Sequence, residues 1–408
     1  MRTHVLLLTL VLSAPALAQA GATTVFTGFS LVDGRGGAAV ENAAMAVRDG
    51  RIIAVGPRAA VQPPANATVV VLSGKTVIPG LINAHGHIND VPDLSTYAAY
   101  GVTTVFSLGS EPAPVFAARA EQSSRQLARA RAFVAGPVVA ASTAESARSV
   151  VASIALTKPD IIKIRVDDNL GTSRKMPPEV YRAVIDEAHK RGLRVAAHLF
   201  YLADAKDLLA SGADVVAHSV RDAAVDDEVI ALLREKRVCY IPTLMREVST
   251  FVYESTPAWF SDPLFLAHAN KQWIAAAADP AAQQRVRSSP SAQRYKAALD
   301  QASVNLKRLA DAGIPIAMGT DTGPNGRFQG YFELMELELM AKAGMTASQV
   351  IQSATSVAAR CMQIDRDLGT LERGKWADFV VLDANPLENI SNVRRISAVY
   401  IAGNRVKR

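Results

Sequence analysis

The spacing of apolar and polar positions changes character once along the chain, at Thr76. Before it, short runs at 25–32, 43–47, 51–55 and 68–72 are apolar or alternate with polar residues. Alternation at period two predicts strands, and Asp33-Gly34 and Asp49-Gly50 predict tight turns between them. The result is a small β unit whose strand spacing is close to that of a sandwich. Gly34, Gly36 and Gly37 resemble a phosphate cradle only superficially. The loop lacks the Lys-Ser/Thr ending and the following helix that such a cradle needs, so it reads as a turn.

After Thr76, short apolar runs alternate with helical stretches, the pattern of parallel βα units. Eight such runs occur, at 77–85, 103–107, 131–135, 160–165, 194–198, 214–218, 238–242 and 315–320. One intervening helix is marked at both ends, by Pro177-Pro178 at its start and Gly192 after it. Eight repeats are the count of a (β/α)8 TIM barrel, and the fold class predicted is α/β. The connection at 246–310 far exceeds a normal βα loop and carries Trp259, Phe260, Phe265, Trp273 and Tyr295. It reads as a helical insertion over the barrel mouth, with its aromatics either lining a pocket or forming a small core. Beyond the eighth run, 333–343 and 347–360 predict helices, and 378–383 and 396–401 predict strands around an Ala402-Gly403-Asn404 turn. The economical organisation is a composite β-sandwich of 21–75 plus 366–408, interrupted by a barrel over 76–365.

Composition narrows the class of protein. With 49% hydrophobic and 20% charged residues over 408 positions, a large ordered core is expected. Arg2, the apolar 5–11 and Ser13-Ala14-Pro15 form a signal peptide over 1–20, cleaved after Ala18 or Ala20. The protein is thus expected to be exported, to the periplasm or beyond. No later run is long enough to span a membrane, since a spanning helix needs about 20 apolar residues. Removing Arg2 lowers the net charge from +6 to +5, spread over positions such as Arg119, Arg131, Lys236, Arg237 and Arg394. Such scattered charges read as solvated faces and give no support to nucleic-acid binding. Two cysteines, Cys239 and Cys361, exclude a disulfide-dense scaffold and a Cys-rich metal site. The expectation is an exported protein that needs no disulfide.

The histidines carry the chemistry. His85 and His87 close the first run with both side chains on one side, His198 closes the fifth, His218 the sixth, and Asp321 follows the eighth. Singly, each has an ordinary explanation, such as a satisfied core histidine or a helix cap. Together they place four of the six histidines beyond the signal at the ends of three strands, on the face where barrels do catalysis. One metal site predicts that clustering. His189 and His268 lie elsewhere and read as structural or solvated. Lys163 sits in Ile161-Ile162-Lys163-Ile164 and points opposite to its apolar neighbours, into the barrel. A buried ammonium beside metal ions is doubly unfavourable. Either it reaches solvent or pairs with Asp167 or Asp168, or its amine is converted to a carbamate that bridges metals.

These residues resemble the amidohydrolase superfamily, in its imidazolonepropionase-like and Xaa-Pro dipeptidase-like branch. The likeness lies in Pro79-Gly80-Leu81-Ile82-Asn83-Ala84-His85-Gly86-His87, Ile161-Ile162-Lys163-Ile164, Ala197-His198, Ala217-His218 and Gly319-Thr320-Asp321. It extends through Ala354-Thr355 and Gly369-Thr370-Leu371-Glu372-Arg373-Gly374-Lys375-Trp376-Ala377-Asp378-Phe379. The resemblance implies a (β/α)8 barrel with a composite β-sandwich and two divalent metals, usually zinc. His85, His87 and Asp321 would take the more buried ion, His198 and His218 the more exposed one, and carboxylated Lys163 would bridge them. It also implies hydrolysis of amide bonds, in dipeptides or N-acyl amino acids, with Asp321 as proton shuttle.

Related deaminases carry a Glu two residues after the fifth-strand histidine, where this chain has Phe200. A lactone or phosphotriester substrate, or a metal-binding protein without chemistry, stays open. Arg221 and Tyr201 stand where a substrate carboxylate could be met, but an Arg221–Asp222 surface pair and a packed Tyr201 ring explain them equally. The substrate is expected to be a small molecule, and self-association is left open.

Overall fold

The computed structural model describes residues 21–408, and the signal segment read at 1–20 lies outside them. Among the described residues, fifteen strands fall into three sheets. The N-terminal strands are β1 (Thr24–Leu31), β2 (Val40–Arg48), β3 (Arg51–Pro57), β4 (Thr68–Val71) and β5 (Thr76–Pro79). A parallel ladder follows with β6 (Leu81–Gly86), β7 (Val102–Ser107) and β8 (Arg131–Val134). A second parallel ladder holds β9 (Ile162–Arg165), β10 (Val195–His198), β11 (Val215–Ala217) and β12 (Cys239–Ile241). The chain ends with β13 (Phe379–Leu382), β14 (Ile396–Ile401) and β15 (Asn404–Arg405). These last three join the first five in one mixed sheet, because β13 pairs antiparallel with β5.

The first apolar run, expected as one strand, divides at Pro79-Gly80. Its first part, β5, stays in the mixed sheet and its second, β6, opens the parallel ladder. Gly80 permits the division, since a Cβ there would lie 2.1 Å from Thr103 Oγ1. The eighth run is not a regular strand. Segment 315–320 instead makes an isolated parallel bridge to β12, with Tyr240 N donating to Pro315 O and Ala317 N to Tyr240 O (both 3.0 Å), and bonds to β6 from Ala84 N to Met318 O (2.9 Å) and from Thr320 N to His85 O (3.0 Å). Close approach explains the irregularity: a Cβ on Gly319 would stand 2.4 Å from Ile241 and 3.0 Å from the His85 backbone.

Helices form where caps and breakers dictate. Pro178–Lys190 begins on its proline and is followed by Gly192 at φ +71°. Asp226 accepts from Val229 N to start Asp227–Lys236, and Thr143 with Ser146 makes a capping box for Ala144–Ala155. The long connection is helical, as its pattern suggested, and ends in Pro290–Asp311 packed against Leu244–Phe251. Most of its aromatics form a small core: Trp259 meets Phe260 and Phe265 at 4.8 Å between ring centroids, and Phe332 at 5.6 Å.

Between the ladders, Ile82, Ala84, Ala196, Val215, Ile241 and Ala317 form one apolar cluster. Ala358, Ala359 and Cys361 of the short helix Ser356–Cys361 cover it from the side where the strands begin. Two expectations need correction here. Cys239 and Cys361 are joined in a disulfide that ties the first residue of β12 to the last of that helix. A separation of 122 positions in sequence hides a contact made only by the tertiary fold. Arg131 is not a solvated charge either: it is 2% exposed and binds Asp378 at 2.7 and 3.0 Å, linking β8 to the mixed sheet. Closing so long a loop restricts the unfolded chain, an effect of about 2–4 kcal/mol. The double variant Cys239→Ser/Cys361→Ser is therefore expected to unfold at clearly lower denaturant. An unchanged midpoint would show that the crosslink constrains nothing.

Candidate metal centre

The residues singled out by the sequence converge at the C-terminal ends of the parallel strands. His85 and His87 come from the end of β6, Lys163 from β9 and His198 from the end of β10. His218 follows β11, and Asp321 follows segment 315–320. All but His87 are buried. His218 and Asp321 hold φ of +78° and +60°, and Thr243, after β12, holds +49°. Non-glycine residues rarely adopt this conformation, and its recurrence at three neighbouring strand ends marks the face as functional.

His85, His87 and Asp321 form a group whose ligand atoms lie within 4.8 Å of one another. Asp321 Oδ1 stands 2.9 Å from His87 Nε2 and 3.4 Å from His85 Nε2. Lys163 Nζ lies 3.3 Å from His85 Nε2. The alternative partners considered for this lysine are engaged elsewhere. Asp167 accepts from His198 Nε2 at 2.8 Å, and Asp168 accepts from the Tyr201 hydroxyl at 2.8 Å. His218 lies between His85 and His198, its ring tilted to His85 at 4.6 Å between centroids and edge-on to His198 at 4.1 Å.

Electrostatics keep the nitrogen donors in the form that binds cations. Burial, helped by Lys163, pushes His85 down to about 3. Burial also holds His198 and His218 well below the ordinary histidine range, against the opposing pull of Asp167 on His198. These imidazoles are neutral at physiological pH, as metal ligation requires. Lys163 is pushed down to about 7, by burial first, with Asp321 opposing and Arg165 adding. Burial raises Asp321, but Arg327 and the hydrogen bonds from His85 and His87 win and hold it well below the carboxylate range.

The donor set fits a divalent metal. His218 Nδ1 is fixed by Thr243 Oγ1 at 2.7 Å, which leaves a buried Nε2 with no protein partner. His87 Nδ1 faces the Gly109 carbonyl at 3.3 Å, turning Nε2 toward Asp321. Outer bonds of this kind orient histidines for metals. Buried His85 Nδ1 likewise lacks a partner. Asp321 is backed by a further buried network. Glu333 Oε1 accepts from Asn83 Nδ2 (2.6 Å), Thr320 Oγ1 (2.8 Å) and Thr322 Oγ1 (2.6 Å), bracing the residues on either side of Asp321.

Several neighbours escaped the sequence reading. Asp167 lies just past the end of β9 and holds His198 rather than Lys163. Arg327 pairs with Asp321 Oδ2 from the following loop. Arg221 is fully buried rather than paired with Asp222 at the surface, and its Nε lies 2.9 Å from Glu247. Arg246 joins the same carboxylate at 3.1 Å and lies over the Tyr295 ring. Arg246 and Glu247 fall at the head of the long insertion, where no motif marks them. His189 pairs with Asp214 and His268 meets Tyr100, as structural histidines do.

Strand-end histidines and a carboxylate on parallel βα units of an α/β fold make a group that could hold a metal ion. Residues 76–406 match the profile of the Amidohydrolase family, and the chain belongs to that family. Among curated proteins, ochratoxinase of Aspergillus niger is 26% identical over 274 residues. That match covers 65% of this chain and 49% of the relative, so this chain spans about half of that protein's length. Among solved structures, a prolidase-like protein of Bifidobacterium longum superposes with TM-score 0.77 at 26% identity, covering 95% of each chain. A Xaa-Pro dipeptidase with bound methionine superposes with TM-score 0.78 at 20% identity, over 95% of this chain and all of that one. That last likeness speaks for the fold alone.

Proposed function

We propose that this chain is an exported, binuclear metal-dependent amidohydrolase that cleaves C–N bonds in dipeptides or N-acyl amino acids. The observation that carries the reading is the convergence of His85, His87 and Asp321, with Lys163 buried against His85. In this reading the two parallel ladders and segment 315–320 close into a (β/α)8 barrel, and the mixed sheet belongs to a composite β-sandwich. The disulfide supports export, since such bonds persist in oxidising compartments.

His85, His87 and Asp321 would hold one ion, His198 and His218 the other, and carboxylated Lys163 would bridge them. Zinc is the ion the resemblance favours. Ions so held lower the pKa of a water molecule and polarise the scissile carbonyl. His198 must release Asp167 to offer its Nε2. Asp321 accepts a proton at Oδ2 and returns it to the leaving nitrogen, which requires Arg327 to swing away from that oxygen. Selection of an anionic substrate is supported by Arg221, Arg246 and Glu247. Both guanidiniums meet Glu247, Arg221 also faces the Asp167 charge, and Arg246 acts on His198 and Asp321, so Arg246 is the cation placed toward the proposed metal ligands. A substrate carboxylate would meet Arg246 there.

The test is a panel of dipeptides, N-acyl amino acids, lactones and phosphotriesters with zinc-reconstituted protein. Amide substrates with a free carboxylate are expected to be turned over. Arg246→Met is expected to raise KM for them by about 10–100-fold, the worth of one charge-assisted hydrogen bond, with little change for their methyl esters. Preferential turnover of lactones or phosphotriesters would replace the amide reading. Equal KM effects on acids and esters would remove Arg246 from substrate selection.

A further inference from the structure

A cavity of about 890 Å³ opens at the opposite ends of the same strands, where β10, β11 and β12 begin. Arg194 and Asp214 line it, and each immediately precedes a strand whose other end carries His198 or His218. With about 3.3 Å per strand residue, Arg194 and His198 lie roughly 13 Å apart along β10. This cavity is therefore separate from the metal centre. Its volume falls in the range of small-molecule sites, about 300–1,000 Å³.

The charge on its walls is one-sided. Arg194, Lys236, Arg237 and Arg360 line it against a single acid, Asp214. That acid is already engaged, accepting from Val195 N at 2.7 Å and pairing with His189 at 2.9 Å. Arg194 spends its guanidinium on the carbonyls of Cys361 and Met362. Lys236 meets only the exposed Glu235, at 3.1 Å. Among the described residues, no acid pairs with Arg237 or Arg360 at the rim. Beneath them, Val238, Ile314, Ile316 and Met345 supply an apolar wall. Cations above an apolar wall complement a molecule with an anionic head and a hydrophobic body.

We propose that this cavity binds a dissolved amphipathic organic anion, an aryl or alkyl sulfonate, phosphate or carboxylate, with Arg237 and Arg360 holding its head group. The site would also be felt by the helix Ser356–Cys361. Val357, Arg360 and Cys361 line the cavity, while Ala358 and Ala359 of the same helix cover the apolar cluster between the ladders.

Calorimetric titration of the full chain with 1-naphthalenesulfonate tests this, because a sulfonate competes poorly for a metal centre. Saturable one-to-one binding is expected, with none for the matched cation 1-naphthylmethylammonium. Arg237→Glu/Arg360→Glu is expected to weaken binding at least tenfold while hydrolysis without the probe is unchanged. Val357→Trp, which fills the wall without altering charge, should weaken it as well. The proposal is overturned by no saturable binding, by equal affinity for the cation, or by undiminished affinity in the charge-reversed variant. Uptake of the probe only into anionic or neutral lipid vesicles alongside the protein, with none by the lipid-free chain, would also overturn it. None of these results bears on the metal centre, so this inference and the proposed function stand or fall separately.

Discussion

Lys163→Ala is expected to lose both bound metal and turnover, by roughly a hundredfold or more in metal affinity, and to regain part of each with formate, acetate or propionate. The reasoning begins with burial: the side chain is 4% exposed and its nearest polar partner is His85, not a carboxylate. A permanent ammonium there would repel any ion bound by His85. Burial pushes the amine down to about 7, so the neutral, nucleophilic form gains population as pH rises through that value. Neutral amine attacks carbon dioxide, the new N–C bond forms, one amine proton leaves to solvent, and a carboxylate replaces the cation. Metal loading of stripped protein should therefore depend on bicarbonate, and be faster at pH 8 than at pH 6. Full metal occupancy in Lys163→Ala, or loading indifferent to bicarbonate, would refute the bridge. Lys163→Met, similar in volume and uncharged, separates loss of metal from loss of fold.

Asp321→Asn is expected to keep metal and fold yet lower kcat by about 10²–10⁴-fold, the usual contribution of a positioned acid–base group. The substitution suits the backbone, since asparagine tolerates the φ of +60° found here. The amide oxygen can still face His85 and His87, but it cannot carry a proton between water and the leaving nitrogen. Measured kcat, KM and metal content decide the matter together. Near-normal turnover would assign the shuttle elsewhere, and loss of metal would make Asp321 chiefly a ligand.

Much of this site could be read from the sequence because parallel βα units present their strand ends on one face. Once 194–198 and 214–218 are recognised as strands, His198 and His218 must be neighbours whatever the loops do. The same logic located Asp321, even though 315–320 proved too closely squeezed at Gly319 to form a regular strand. What stayed hidden depends on contacts without local pattern. Arg131 reaches Asp378 across 247 positions, and Cys239 meets Cys361 across 122. A sequence of runs and turns does not encode such meetings. Arg246 and Glu247 were hidden differently, inside an insertion whose period announces helix but not which face turns toward the histidines. The division of the first run at Pro79-Gly80 was written in the sequence, yet two apolar segments in line read as one strand.

The pairing of β13 with β5 sets an order on how the chain can be completed. Phe379 lies opposite Pro79, about 300 residues later in the sequence. At a synthesis rate of about 10 residues per second, the edge of β5 waits roughly half a minute for its partner. Through that interval the N-terminal strands exist with an open edge, and an open edge is a template for unwanted pairing between chains. Any folding of the N-terminal strands before residues 379–382 arrive leaves β5 in that exposed state. Arrival of β13 is the step that closes this edge.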